Sequence, residues 1–206
     1  HWFRQDLRIK DNPSLEAASK CDSFIPIYIL DDTNSGEFKM GSASRWWLYH
    51  SLNKLNETLG GNLRLFKGDP CEILPKLIED YSVSNVFWNR CYEPWRIDRD
   101  KKIKNELETN NIIVESFCGS LLWEPWNISK DDGTPYRVFT PYYKKGCLNA
   151  SEPRLPISEP SFENISKKDN VSDNLESLDL LPKSNWYAGF EEEWNPGEEG
   201  AVQNLE

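Results

Sequence analysis

The chain has 206 residues, 38% of them hydrophobic, and a formal net charge of −10, so it can fill one sizeable core but not two. The segment up to Asn149 holds 20 basic and 21 acidic residues, whereas the remainder holds 4 basic and 13 acidic ones. Neither part has the dense basic face of an autonomous nucleic-acid binder, so any DNA contact is expected to lie mostly elsewhere.

Strand-like and helix-like segments alternate over residues 1–126. Strands are predicted at residues 2–3, 24–30, 63–66, 84–88 and 112–117. Helices are predicted to begin at Asn12-Pro13, at Ser42 or Ser44, at Asp69-Pro70 and at Arg96. This alternation predicts an α/β fold, a doubly wound, five-stranded parallel sheet of the Rossmann-like type, over residues 1–126.

The composition changes after Trp126. Residues 127–206 are rich in Pro, Ser, Asn and acidic residues, and their hydrophobic periodicity is weak. They predict an irregular connector that wraps over a neighbouring domain rather than a second core.

The five cysteines are scattered and never spaced as Cys-x-x-Cys, and the chain has only two histidines. We therefore expect reduced thiols, a cytoplasmic location and no metal site. The longest apolar run, residues 24–30, fits a buried strand, so no membrane contact is expected. Because the chain begins at His1 and enters a motif at once, a truncated form of a longer protein is expected.

Phosphate-binding signatures are missing from the loop after the first strand. No Gly-x-Gly-x-x-Gly and no Gly-Lys-Ser/Thr sequence occurs, which disfavours dinucleotide dehydrogenases and phosphate-loop NTPases. The loop instead runs from Arg4 to Asn12. In it we expect Gln5 to face the ligand crevice, whereas four side chains are expected to form hydrogen-bonded scaffolding: Asp6, Arg8, Asp11 and Asn12.

An ordered set of motifs spans nearly the whole chain. The first are Trp2-Phe3-Arg4-x-Asp6-Leu7-Arg8 with Asp11-Asn12-Pro13, Ser44-Arg45-Trp46-Trp47-Leu48, Gly68-Asp69-Pro70, Trp88-Asn89-Arg90-x-Tyr92-Glu93-Pro94 and Arg99-Asp100. The later ones are Leu121-Leu122-x-Glu124-Pro125-Trp126, Gly133-Thr134-Pro135-Tyr136-x-Val138-Phe139-Thr140-Pro141 and Trp194-x-Pro196-Gly197-Glu198. In these motifs the chain resembles the DNA photolyase/cryptochrome family.

The resemblance implies an N-terminal α/β domain that binds an antenna chromophore, followed by an interdomain connector. It implies FAD in a C-terminal helical domain that this chain lacks, excitation transfer to that FAD, and electron donation to a pyrimidine dimer flipped out of DNA. The full-length enzyme would be a monomeric DNA photolyase, a carbon–carbon lyase, and this fragment alone would be inactive. The alternative is a cryptochrome, a blue-light photoreceptor without repair activity. A free-standing nucleotide-binding module is disfavoured by the motifs beyond Trp126.

The antenna stays undecided among 8-hydroxy-5-deazaflavin, methenyltetrahydrofolate and a flavin, and an empty pocket is a further alternative. Trp95 and Arg96 stand where folate-binding members carry Asn-Glu, while Gln5 and Cys91 replace an Arg and an acid of some deazaflavin binders. By position in the resemblance, the candidate chromophore-binding residues are Gln5, Tyr28, Asp31, Met40, Ser44, Cys91 and Glu93. Each of these residues also has a purely structural interpretation. It is packing for Tyr28 and Met40, and capping of a helix or turn for Asp31 and Ser44.

The nine tryptophans are interpreted as packing residues rather than an electron-transfer chain. Trp2, Trp46, Trp47 and Trp88 are expected in the α/β core, and Trp186 and Trp194 are expected to dock the connector.

Overall fold

Five parallel strands form the centre of the molecule in a computed structural model, which describes residues 1–169 and 171–205. The strands are β1 Trp2–Phe3, β2 Ile27–Leu30, β3 Arg64–Lys67, β4 Asn85–Asn89 and β5 Ile113–Phe117. Every ladder is parallel, with Trp2 opposite Ile27, Tyr28 opposite Leu65, and Val86 opposite Val114. The α/β fold predicted from the sequence is confirmed.

The sheet consists of two hydrogen-bonded parts, β1-β2-β3 and β4-β5. They meet where β1 lies beside β4, and the Trp2 and Trp88 rings contact edge to face with centroids 5.7 Å apart. Because β1 has only two residues, a side chain bridges this seam: Arg4 donates from its guanidinium to the carbonyl of Asn89. The resulting strand order is β3-β2-β1-β4-β5. Successive strands are added on one side of β1 up to β3 and on its other side from β4 onward, so the order reverses between β1 and β4 while all strands stay parallel.

Four helices cover the two faces of the sheet: α1 Pro13–Ser19, α2 Ser42–Thr58, α3 Pro70–Tyr81 and α4 Pro94–Thr109. Asn12 and Asp69 cap α1 and α3 by accepting hydrogen bonds from Leu15 N and Cys71 N. Alternate strand residues point to opposite faces and so fill two cores. One contains Phe3, Tyr28, Leu52 and Leu63, and the other contains Trp2, Ile29, Trp88 and Ile103.

Residues beyond Trp126 are largely irregular, with short helical turns at Phe139–Pro141, Tyr142–Gly146, Cys147–Asn149 and Glu176–Leu178 and two short helices, α5 Phe190–Glu193 and α6 Glu198–Gln203. This segment folds back onto the α/β core. Ile165 and Asp173 form bridges with Phe24 and Leu65, and Leu178 is fully buried. The connector therefore packs on the sheet domain itself, which its polar composition did not predict. The boundary at Trp126 stays a prediction.

The five cysteines are unpaired thiols. Within the described residues, no helix has the length and apolar character needed to cross a membrane.

Candidate functional site

A cavity of about 1000 Å³ opens at the carboxyl ends of β1 and β2, beside the seam with β4. In open α/β sheets ligands bind beyond the strand carboxyl ends, where the strand order reverses. Its walls come from the loop after β1, the end of β2, helices α2 and α4, and the last part of the chain. The position and size of this cavity make it the candidate ligand site.

The seam side of the cavity carries a polar cluster. Gln5 donates from Nε2 to Oε1 of Glu93 over 2.7 Å, and this bond joins the loop after β1 to the residue before α4. Arg96, in the first turn of α4, lies with Nε 3.7 Å from the other oxygen of Glu93 and donates to Cys91 Sγ over 3.5 Å. Glu93 Oε2 and Arg96 Nε are buried, and neither has a hydrogen-bond partner within the described residues.

The carboxyl group of Glu93 is held in its charged form. Burial alone would raise its pKa, but hydrogen bonds from its own backbone amide and from Gln5, together with the nearby charge of Arg96, lower the pKa below the usual range. A carboxylate, a guanidinium and an amide therefore meet beside one end of the cavity, where Glu93 Oε2 and Arg96 Nε form an ion pair without a hydrogen bond.

Tyr28 lies on β2 and lines the cavity. Burial raises the pKa of its phenol above the ordinary value, so the hydroxyl is a neutral donor at physiological pH. No hydrogen bond to this hydroxyl is made by residues 1–169 or 171–205. Since a tyrosine hydroxyl in a mostly buried position usually has a partner, Tyr28 is suited to hydrogen-bond a ligand.

Asp31 also lines the cavity, but its oxygens are used by the protein. One accepts from Arg99 over 2.9 Å, and the other accepts from the amides of Thr33 and Asn34 over 3.1 and 2.9 Å. Burial would lower the pKa of Arg99, but the neighbouring carboxylates of Asp100 and Asp31 outweigh it and raise that pKa. Asp31 is thus primarily a structural residue of this wall.

The α2 side of the cavity is apolar and aromatic, and it includes Met40, the exposed hydroxyl of Ser44, and Trp47. The sequence-based assignment of Trp47 to the core is wrong. Its side chain is 41% exposed and lines the cavity, whereas the adjacent Trp46 is 1% exposed. Consecutive helix positions point about 100° apart, so only one of the two tryptophans can face the core.

Five of the seven residues predicted from the sequence line the cavity directly: Gln5, Tyr28, Asp31, Met40 and Ser44. Cys91 and Glu93 lie immediately behind Arg96 and Gln5, which they contact. The structure thus brings the seven together at one end of the sheet, and their role in binding stays a prediction.

Two parts of the site are not predicted from the sequence. Arg96 stands out there only as a substitution in a folate motif, although this arginine in the first turn of α4 lines the cavity. The end of the chain is expected from the sequence only to connect two domains, yet Phe190, Trp194 and Glu198 line the cavity. The one signal for the latter is the Trp194-x-Pro196-Gly197-Glu198 motif.

The remaining polar residues of the first loop form a scaffold under the cavity. Asp6 accepts hydrogen bonds from Arg4 N at 2.9 Å, from Asn12 Nδ2 at 3.3 Å and from Asn89 Nδ2 at 2.5 Å. Arg8 donates to the carbonyls of Asp11 and Gly119. These bonds support the predicted structural role of Asp6, Arg8, Asp11 and Asn12, and they hold the loop that carries Gln5.

Aromatic walls with a few convergent polar groups fit a planar aromatic molecule that has hydrogen-bonding edges. The hydroxyl of Tyr28, which has no partner within the described residues, is the group that such a molecule would satisfy, and the side chain of Arg96 lines the same cavity. The sheet, its reversal point and this cavity define a Rossmann-like α/β domain with a candidate ligand site.

The family model for DNA photolyase matches residues 1–161, so the chain belongs to the DNA photolyase family and corresponds to its N-terminal domain. The deoxyribodipyrimidine photo-lyase of Agrobacterium fabrum is 38% identical over 210 aligned residues, which cover 100% of this chain and 43% of the relative. Cryptochrome-2 of Arabidopsis thaliana is 37% identical over 163 aligned residues, which cover 77% of this chain and 26% of the relative. The chain therefore spans less than half the length of these relatives.

Solved structures agree with this assignment. A bacterial class III photolyase from Agrobacterium tumefaciens matches with a TM-score of 0.87 and 38% identity, covering 99% of this chain and 42% of that one. An archaeal photolyase from Sulfolobus tokodaii, solved with two FAD molecules, matches with a TM-score of 0.66 and 25% identity, covering 86% of this chain and 40% of that one. The two FAD molecules of the archaeal photolyase imply a novel light-harvesting cofactor in that protein.

Proposed function

We propose that this chain is the N-terminal part of a light-dependent DNA repair enzyme, a deoxyribodipyrimidine photo-lyase, and that its cavity holds an antenna chromophore. The observation that carries the proposal is the cavity at the sheet's reversal point, where the Tyr28 hydroxyl is unpaired within the described residues and Gln5 is held by Glu93. The match to the Agrobacterium fabrum photo-lyase over the whole chain supports repair rather than signalling, since the match to cryptochrome-2 covers a smaller part.

When bound, the chromophore would absorb light and pass the excitation to FAD elsewhere in the full-length protein. The residues of this chain bind and orient it. Gln5 and Tyr28 offer hydrogen bonds to its polar edge, and Arg96 places a positive charge beside that edge. The aromatic residues of α2 and of the chain end exclude water from its faces. The proposed binding set is Gln5, Tyr28, Asp31, Met40, Ser44, Cys91 and Glu93, extended by Arg96 and Trp47.

Three chromophore classes are compatible with these walls: a flavin, 8-hydroxy-5-deazaflavin and methenyltetrahydrofolate. The two FAD molecules in the Sulfolobus tokodaii photolyase give the flavin a precedent in the family. Gln5 can serve a flavin or a deazaflavin, because its amide both donates to and accepts from ring carbonyl and imide groups.

The activity itself is proposed for the full-length protein. A C-terminal helical domain would bind FAD and the pyrimidine dimer of DNA, and the 206-residue chain alone would be inactive. The unpaired thiols fit a reducing compartment, the cytoplasm. We expect a monomer.

The test is repair by the full-length protein with its FAD reduced. Illumination should reverse cyclobutane or (6-4) dimers in DNA, and the rate should rise at wavelengths that only the antenna absorbs. A Ser44→Trp variant, which places a large side chain in the cavity, should lose that extra rate and keep repair driven by direct FAD absorption. Failure to reverse either lesion would overturn the repair function and favour the photoreceptor alternative.

A further inference from the structure

Glu198 makes a contact across the chain that neither the fold nor the proposed binding set explains. Its two carboxylate oxygens accept hydrogen bonds from the consecutive amides of Ile9 and Lys10, over 2.8 and 3.0 Å. A charged acceptor bonded to two backbone N–H groups is stronger than a neutral pair. The contact joins the first loop of the sheet domain to the first residue of α6, 188 and 189 positions further along the chain.

The backbone around Glu198 is shaped for close approach. Gly197 has φ +104°, and a Cβ there would lie 3.2 Å from Cβ of Lys54 on α2. At Gly200, a Cβ would lie 1.8 Å from the carbonyl oxygen of Asn195, so no side chain fits. The two glycines therefore let residues 195–200 form a tight turn that seats α6 against α2.

We define residues 190–205 as the tail clasp, because they form the outer wall of the cavity. Trp194 contacts Trp47 edge to face, with centroids 5.8 Å apart, and Phe190 contacts Trp46 in the same manner at 5.3 Å. Further cavity-lining residues of the clasp are Gly197, Glu198, Ala201, Val202 and Leu205. Without the clasp, the cavity would be a cleft open along α2.

We propose that Glu198 is a positioning residue for the chromophore site: it fastens the tail clasp over the cavity, and clasp docking and chromophore occupancy stabilise each other. The inference rests on the proposed function, since the ligand is the proposed chromophore. A ligand that contacts the tail clasp binds more tightly when the clasp is docked. The two equilibria are linked, so the bound ligand increases the docking constant by the same factor by which docking increases the ligand's affinity.

The test uses the 206-residue protein and three probes: riboflavin, 8-hydroxy-5-deazaflavin and methenyltetrahydrofolate. For the probe that binds best, Glu198→Ala should weaken binding about tenfold. Glu198→Gln, which keeps one acceptor oxygen, should recover part of the loss. The matched control is Glu199→Ala, which removes an exposed carboxylate from the same helix and should leave affinity unchanged.

Hydrogen exchange separates positioning from simple structural support. The amides of Ile9 and Lys10 should be protected in the wild type, more protected with the probe, and freely exchanging in Glu198→Ala. Gly200→Ala should reproduce both effects, because it displaces α6 without removing a cavity-lining side chain.

The outcomes distinguish the two proposals. If no probe binds the wild type, the chromophore part of the proposed function fails and the inference fails with it, whereas repair is decided separately by the dimer-reversal assay. If a probe binds and Glu198→Ala binds it equally well while the two amides exchange freely, only the role of the clasp is overturned. If the amides of Ile9 and Lys10 exchange as slowly in Glu198→Ala as in the wild type, the role of Glu198 is also overturned.

Discussion

Gln5 and Glu93 are joined by a hydrogen bond of 2.7 Å between Nε2 and Oε1 across the seam between β1 and β4. The bond orients the Gln5 amide: because its NH2 group points to Glu93, its carbonyl oxygen is turned away and is available to accept from a ligand. The geometry of one side chain at the cavity is thus set by a carboxylate on the other half of the sheet.

Glu93→Ala should lower chromophore affinity although Glu93 does not line the cavity. Removing it frees the Gln5 amide to rotate and leaves the charge of Arg96 without its nearest partner. The Gln5→Ala and Glu93→Ala changes should be non-additive by about 1 kcal/mol, since residues in direct contact couple. Titration of the four proteins of this double-mutant cycle measures it, with Asp98→Asn on exposed α4 surface as the charge control. Strict additivity would contradict the orienting role.

Asn89→Leu should destabilise the fold strongly. Asn89 is 3% exposed and donates to Asp6 and to Oδ1 of Asn12, the residue that caps α1. Its loss leaves a buried carboxylate and a buried carbonyl short of donors, which costs about 2–4 kcal/mol. Urea unfolding measures the change, and Asn53→Ala on the exposed face of α2 should stay within about 0.5 kcal/mol of wild type.

Trp46→Ala and Trp47→Ala should differ in their effect on stability, although both side chains line the cavity. Trp46 is buried, so its truncation should cost about 3–5 kcal/mol of unfolding free energy. Trp47 is partly exposed at the cavity, so Trp47→Ala should cost much less unfolding free energy. It should still lower chromophore affinity, because it removes part of the cavity wall. Paired urea titrations and ligand titrations decide this. Equal destabilisation by the two changes would restore the core assignment of Trp47.

Acidification should destabilise the protein in two steps. Burial lowers the pKa of His50 below 6.5, so the unfolded chain binds a proton first, and stability is lost as the pH falls from about 6.5 through the lowered value. The pKa of Glu93 is lowered from 4.5, because its hydrogen bonds and the charge of Arg96 outweigh the effect of burial. The pKa of Asp69 is lowered from 3.8, because hydrogen bonds from Cys71 N and Asn34 outweigh the effect of burial. Their stabilisation is present above the unfolded values and is lost as the pH falls through the folded ones.

Urea midpoints measured from pH 8 to pH 3 check both steps. His50→Gln should remove the first step and leave the second. A midpoint that stays level from pH 7 to pH 5 in the wild type would contradict the His50 assignment.

Local signals predict most of the fold. Asn12-Pro13 and Asp69-Pro70 mark helix starts because capping and proline chemistry depend only on neighbouring residues, and the apolar runs place all five strands within about three residues. The same reasoning cannot show that Leu178 is fully buried in the core, because the segment around it has no periodicity. Its burial depends on contacts with residues far away in the chain.

The candidate site is predictable only in part, for the same reason. Gln5 follows from its place just after the first strand, because parallel sheets bind ligands at strand ends, whereas Tyr28 follows only from the family resemblance. The sequence misassigns Trp47 because the apolar spacing of α2 does not reveal that part of its surface lies under a cavity. The Glu198 contact joins loop amides to a carboxylate near the end of the chain, and no sequence spacing encodes such a pairing.

The central claim is that the cavity holds an antenna chromophore, and the absorption spectrum of the purified full-length protein tests it most directly. Ser44 lines the cavity and its hydroxyl makes no hydrogen bond within the described residues, whereas Ser42 lies on the same helix outside the lining. The wild type and Ser42→Trp should share a near-ultraviolet or visible band beyond that of FAD, and Ser44→Trp should lose it while keeping the FAD band. A spectrum with no such band, or one that Ser44→Trp leaves intact, would contradict the claim.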